Sequence, residues 1–94
     1  MDRKPTVSVI IPVYNAQDYI DFTITSVIEQ SYTDWELIIV DDGSNDGSSN
    51  IISNFVNIDN RIRTVRLDKS TGGPAYPRNV GMEEANGDYL AFLD

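Results

Sequence analysis

The 94-residue sequence predicts an α/β domain with a mainly parallel sheet. Three observations carry that prediction. The first is a short run, Glu36-Leu37-Ile38-Ile39-Val40, that ends in two adjacent carboxylates, Asp41 and Asp42. A run this short and this apolar reads as a strand buried on both faces, so the cluster Asp41 to Gly47 becomes the loop at its carboxyl end. The second is helical spacing between the apolar runs, as in Ile20, Ile24, Val27 and Ile28. The third is that every segment between strands is long enough for a crossover helix, which parallel strands require.

The first strand is Val7 to Val13, rich in branched residues, with Pro12 expected to mark its end because it cannot donate to a ladder. Asn15 is a candidate cap for a helix over 18–30, with Asp18 completing a capping box. Strand two follows at 36–40. Ser44 or Asn45 then suits the cap of a second helix over about 48–57, striped by Ile51, Ile52, Phe55 and Val56. Residues Arg61 to Leu67 alternate charged with apolar, which predicts a half-exposed edge strand whose arginines are solvated. A flexible loop, Asp68 to Pro74, leads to a third helix that starts between Pro74 and Arg78. Asn86-Gly87 should stop it through positive φ, and Asp88 to Leu93 should form a fourth, central strand. The whole reads as a single domain over 1–94, ordered βαβαβαβ, half of a nucleotide-binding α/β domain.

Composition narrows the chemistry. Seven basic against 15 acidic residues give a formal charge of −8, which argues against nucleic acid or an anionic membrane as the main partner. The sequence holds neither Cys nor His, which excludes thiol chemistry, the usual zinc sites and His-based acid–base catalysis. No apolar stretch approaches the ~18 residues of a membrane span. The first five residues do not read as a signal peptide.

Ligands of open α/β sheets bind at the carboxyl ends of the strands, at the point where the strand order reverses. With a predicted order of 3-2-1-4, Tyr14 and Asp94 face one crevice and Asp42 lies beside it. An aromatic surface for a base, a carboxylate for a base N–H and an acid for a metal suit a nucleoside diphosphate.

Four stretches occur in one order: Val-Ser-Val-Ile-Ile-Pro-Val-Tyr-Asn from Val7, Glu-Leu-Ile-Ile-Val-Asp-Asp-Gly-Ser-Asn-Asp-Gly from Glu36, Arg78-Asn79-Val80-Gly81, and Gly-Asp-Tyr-Leu-Ala-Phe-Leu-Asp from Gly87. Together, over residues 6–94, they resemble the family-two inverting glycosyltransferases. The resemblance implies the Rossmann-like amino-terminal half of a GT-A fold. It implies an enzyme that moves a sugar from a nucleoside-diphosphate sugar, a UDP-sugar by preference, to an acceptor, with Mn or Mg as cofactor. Pro12, Val13, Tyr14, Asn15, Asp41, Asp42 and Arg78 then look like nucleotide-binding residues. Asp94 matches the first acid of an Asp-x-Asp metal motif, and no catalytic base is expected within the chain. The loop before Arg78 departs from the family in carrying Pro74 and Pro77. The expected role is cell-surface polysaccharide synthesis in the cytoplasm, with the inner face of the membrane as the alternative site. By itself the chain is expected to be inactive, and its open strand 89–93 invites self-association.

Two other readings compete. The stretch Asp42 to Gly47 superficially fits a calcium loop, but its twelfth position is Ser53 rather than Glu and a strand precedes it. A receiver-like signalling module would use Asp41, Asp42 and Asp94 as its acidic site, yet such an acid pair belongs after a first strand and here follows the second.

Overall fold

The computed structural model describes residues 4–93. Its elements are β1 (Val7–Val13), α1 (Ile20–Glu29), β2 (Trp35–Asp42), α2 (Ser48–Ile58), β3 (Ile62–Leu67), α3 (Ala75–Glu84) and β4 (Tyr89–Phe92). The strands form one parallel sheet in the order β3-β2-β1-β4, as the sequence predicts.

Side-chain alternation sorts the core into two layers. Val9, Ile11, Leu37 and Ile39 face Ile20, Ile24 and Val27 of α1 and Ile52 of α2. Ile10, Ile38 and Val40 face the other way, toward Leu67, Val80 and Ala85 on the α3 side. β2 is buried at every position, which is why its sequence is apolar without alternation. Each successive residue at its carboxyl end is therefore delivered to a different layer.

Pro12 sits inside β1, paired in register with Val40, rather than ending it. Ile10 accepts from the Leu93 N–H at 3.0 Å, so even-numbered residues turn their backbone toward β4. The last register pair with β4 is Ile10 with Phe92. Pro12 lies past that pair, where no donor is required.

The helix ends differ from expectation for a common reason. Asn15 does not cap α1; it sits at φ 48°, and its side chain accepts from the Asn45 N–H at 2.9 Å. In return the Asn15 N–H donates to Ser44 Oγ at 2.9 Å, so neither Ser44 nor Asn45 caps α2. The cap position is Gly47, and the carboxylate of Asp46 just before it accepts from the Ser48 N–H at 2.9 Å. Bonds between the two loops displace the local caps. α3 ends at Glu84 and Ala85 turns extended, with no positive φ at Asn86 or Gly87. Gly87 is needed for close approach instead, since a Cβ there would lie 2.7 Å from the Ser8 nitrogen.

Both sheet edges bear on the predictions. β3 is the expected edge, but its arginines are not simply solvated. Arg61 lies 3.8 Å from the Trp35 ring centroid and pairs with Asp59 at 2.8 Å. Arg63 pairs with Glu36 at 3.2 Å and Glu84 at 2.9 Å. Among the described residues β4 is the other edge, not a central strand, and Tyr89, Leu90 and Phe92 are exposed. No helix among the described residues is long and apolar enough to cross a membrane.

Candidate functional site

A cleft of about 400 Å³ opens at the carboxyl ends of β1 and β2, on the α3 side of the sheet. Pro12, Val13 and Tyr14 form one wall, and Asp42 comes from the end of β2. Ser70, Gly72, Gly73 and Pro74 of the β3–α3 connection close the other wall, with Pro77 from the first turn of α3. Register explains the meeting of Tyr14 and Asp42. Pro12 pairs with Val40, and two residues further along each strand bring Tyr14 alongside Asp42.

The adjacent acids part company there. Asp41 continues the layer of Leu37 and Ile39 and so faces α2. It accepts from the Ser44 N–H at 3.0 Å, the Ser49 hydroxyl at 2.7 Å and Arg66 at 2.6 Å. Arg66 is its register partner across the sheet, and it reaches on to the Ser44 carbonyl at 2.9 Å. Asp42 continues the layer of Ile38 and Val40 and lines the cleft, only 3 % exposed. Its partner is Thr71, whose N–H and hydroxyl both donate to the carboxylate, at 3.0–3.2 Å. None of the ion pairs described for this chain includes Asp42.

Gly43, at φ +73°, makes the turn out of β2. A Cβ there would collide with the backbone of Lys69 and Ser70, so the β3–α3 connection crosses directly over the end of β2. That crossing brings Thr71 onto Asp42. The β1–α1 loop is fixed equally firmly. Besides the Asn15 bonds, the Ala16 N–H donates to Ser48 Oγ at 2.8 Å and the Gly47 N–H to Gln17 Oε1 at 2.7 Å. Tyr14 therefore rides on a loop held at both sides, yet keeps 49 % of its own surface exposed.

The remaining candidates lie around this centre. Asn15 is exposed and ties the two loops together without lining the cleft. Arg78 is half-buried on α3, next to Pro77, and its N–H donates to the Pro74 carbonyl at 3.0 Å. It is not part of the cleft wall. Asp94, the expected metal acid, lies outside the described residues. Among the described residues no three His, Cys, Asp or Glu side chains come together to hold a metal. The sequence reading missed Thr71 and Arg66, which meet their carboxylates only through long-range contacts. The one hint in the sequence was the alternation of β3, which puts Arg66 on the same layer as Asp41.

Comparison with known proteins agrees with this geometry. The pattern of the family described as Glycosyl transferase family 2 matches residues 8–94. TuaG of Bacillus subtilis (strain 168), provisionally named a teichuronic acid biosynthesis glycosyltransferase, is 52 % identical over 97 % of the chain and 36 % of its own length. The crystal structure of S. aureus TarS 1-349 in complex with UDP-GlcNAc superposes with a TM-score of 0.89 at 33 % identity, over 95 % of this chain and 26 % of that one. The mannosyltransferase PcManGT of Pyrobaculum calidifontis, solved in complex with GDP-Man and Mn2+, gives a TM-score of 0.82 at 25 % identity, over 94 % of this chain and 26 % of that one. The chain thus spans about a third or less of the length of these relatives.

Proposed function

The chain belongs to glycosyl transferase family 2, and on that premise we propose that it is the nucleotide-binding part of an enzyme that moves a sugar from a nucleoside-diphosphate sugar to an acceptor with inversion. The observation that carries this reading is the buried Asp42 carboxylate beside the exposed Tyr14 ring in one cleft. Tyr14 offers a flat face to the base, and Asp42 accepts its ring N–H. Pro12 and Val13 support the Tyr14 wall, while Asn15 and Asp41 hold the surrounding loops. Arg78, on the first turn of α3, serves the diphosphate. A UDP-sugar is the preferred donor, in keeping with the UDP-GlcNAc complex of TarS.

In the whole enzyme a carboxylate outside these residues would deprotonate the acceptor hydroxyl for direct displacement at the anomeric carbon. A divalent cation belongs to the proposal for the whole enzyme, with Asp94 as its first acid. The 94 residues alone are proposed to bind nucleotide without turnover. Cell-surface polysaccharide synthesis from the cytoplasmic side is the proposed setting. Self-association through the bare β4 edge is a separate proposal, which sedimentation of the wild type against a Leu90→Lys variant would decide.

The test is a titration of the protein with UDP, GDP and CDP, followed by NMR shifts. Uracil N3 and guanine N1 carry a hydrogen, whereas cytosine N3 is an acceptor and faces the carboxylate with repulsion. UDP and GDP are expected to bind better than CDP by about 1–3 kcal/mol, the cost of leaving a buried polar group unpaired. Equal or tighter binding of CDP would remove Asp42 from this role.

A further inference from the structure

Among the described residues, one acid of the Asp41–Asp42 pair is matched by a cation and the other is not. Arg66 serves Asp41 at 2.6 Å, while the described partners of Asp42 are the neutral N–H and hydroxyl of Thr71. Both Thr71 donors reach both Asp42 oxygens, at 3.0 and 3.2 Å from the nitrogen and 3.0 and 3.1 Å from Oγ1. Two donors straddling both oxygens fix the plane of the carboxylate, whose terminal torsion is otherwise broad. They also leave capacity, because a carboxylate has about four acceptor sites and Thr71 supplies two hydrogens.

A latch whose only task was to hold the loop would not need the charge. Asparagine at position 42 could still accept from both Thr71 donors through its single amide oxygen, without burying an anion that no described ion pair matches. Apolar packing does not explain the contact either. Thr71 is exposed, and the glycines that follow, Gly72 and Gly73, have open space where a Cβ would go. The contact joins the cleft's acid to its exposed wall: Ser70, Gly72 and Pro74 flank Thr71 and line the same cleft as Asp42.

We infer that Thr71 is the positioning residue of the base-reading site, fixing the Asp42 carboxylate so that its remaining acceptor capacity selects bases with a ring N–H. The inference rests on the nucleotide-binding reading above. Thr71 does not read the base itself; it acts through Asp42.

The experiment compares Thr71→Val, Thr71→Ser and Asp42→Asn with the wild-type protein, using UDP and CDP as probes in calorimetry and NMR. Thr71→Val keeps the shape and the backbone N–H but loses the hydroxyl. It is expected to weaken UDP roughly tenfold, the scale of one hydrogen bond to a charged group, and to narrow the preference for UDP over CDP. Thr71→Ser is expected to restore both. A purely structural role would lower both nucleotides equally and leave the preference intact, which would overturn the inference. The inference also falls if Thr71→Val matches wild type while Asp42→Asn loses the preference; the nucleotide reading then survives without Thr71. If Asp42→Asn also keeps the preference, both readings fall. Should Thr71→Val fail to fold, the Thr71 amide resonance of the wild-type protein decides. It is expected to shift with UDP more than with CDP, and an equal response to the two would overturn the inference.

Discussion

The two ends of β2 both bury carboxylates, and they treat them differently. At the amino end Glu36 is 8 % exposed and every neighbour serves it. Ser8 Oγ donates at 2.6 Å, the Asn86 N–H at 2.6 Å, and Arg63 pairs at 3.2 Å. Burial pushes the Glu36 carboxyl up, but the bonds from Ser8, Asn86 and Arg63 outweigh it and hold the group below the ordinary carboxylate range. At the carboxyl end Asp41 is matched in the same style by Arg66, whereas Asp42 is left with neutral donors beside open space. A saturated acid ties elements together: Glu36 joins β1, β2, β3 and the exit of α3. Asp42 keeps acceptor capacity to spare beside the cleft, as the base-reading acid of the proposed function would need.

The contrast breaks first at Glu36, where the largest loss of stability is expected. Glu36→Ala leaves Arg63, Ser8 and the Asn86 N–H without their acceptor. Breaking a fully buried pair costs about 3–5 kcal/mol, and the partial exposure of Arg63, 38 %, lowers the expectation to about 2–3 kcal/mol. Urea unfolding measures it, and a loss under about 1 kcal/mol would show that the amino-end network is ornamental. UDP affinity of the folded variant should be unchanged, since Glu36 lies at the far end of the strand.

Arg66→Met is expected to cost less, about 1–2 kcal/mol. Asp41 is 2 % exposed and would be stranded without its cation, but the Ser44 N–H and Ser49 hydroxyl still serve it. The preference for UDP over CDP should survive, because Asp41 faces α2 and not the cleft. Loss of that preference would mean that the two acids act as one site.

Acidification sharpens the same contrast. Because the folded Glu36 carboxyl sits below its ordinary value of 4.5, its contribution to stability is complete above that value. The contribution is lost as the pH falls through the lower folded value. The stability gap between wild type and Glu36→Gln should therefore be constant toward neutral pH and close below 4.5. A gap that widens on acidification would reverse the sign and contradict the hydrogen-bonded picture.

The layout of the chain was legible because β2 and its neighbours obey local rules. Apolar runs, helical stripes and crossover lengths gave the element order and the sheet order 3-2-1-4, and α3 begins within its predicted window. Asp42 and Tyr14 stand out in the sequence because they follow apolar strands directly, and the structure brings both to one cleft. Capping misled the reading, since Asn15 and Ser44 look like caps by themselves but bond to each other's loops, about 30 residues apart in sequence. The arginines of β3 misled it too. Alternation marks an edge, but it does not reveal that the carboxylates of β2 and α3 lie within reach of that edge. Thr71 was invisible because nothing in a flexible loop announces where its backbone will cross.

The smallest effect on stability, and the one that most separates the two ends, is expected for Asp42→Asn. The amide oxygen can still accept from Thr71, so the loop keeps part of its tie. What disappears is a charge that is 3 % exposed, follows another carboxylate in the chain and has no cation among the described ion pairs. Removing such a charge relieves desolvation and like-charge repulsion, which offsets the lost strength of the charge-assisted bonds. The melting temperature should therefore stay within about 3 °C of wild type, or rise, given that ~1 kcal/mol moves a domain of this size by roughly 4–8 °C. Over the same substitution UDP affinity should fall, because the carboxylate that accepts the ring N–H is gone. Stability held while binding is lost is the pattern of a residue kept for its ligand. A melting temperature lower by about 8 °C or more would instead place Asp42 with Glu36, as a tie of the fold, and the contrast between the two ends of β2 would vanish.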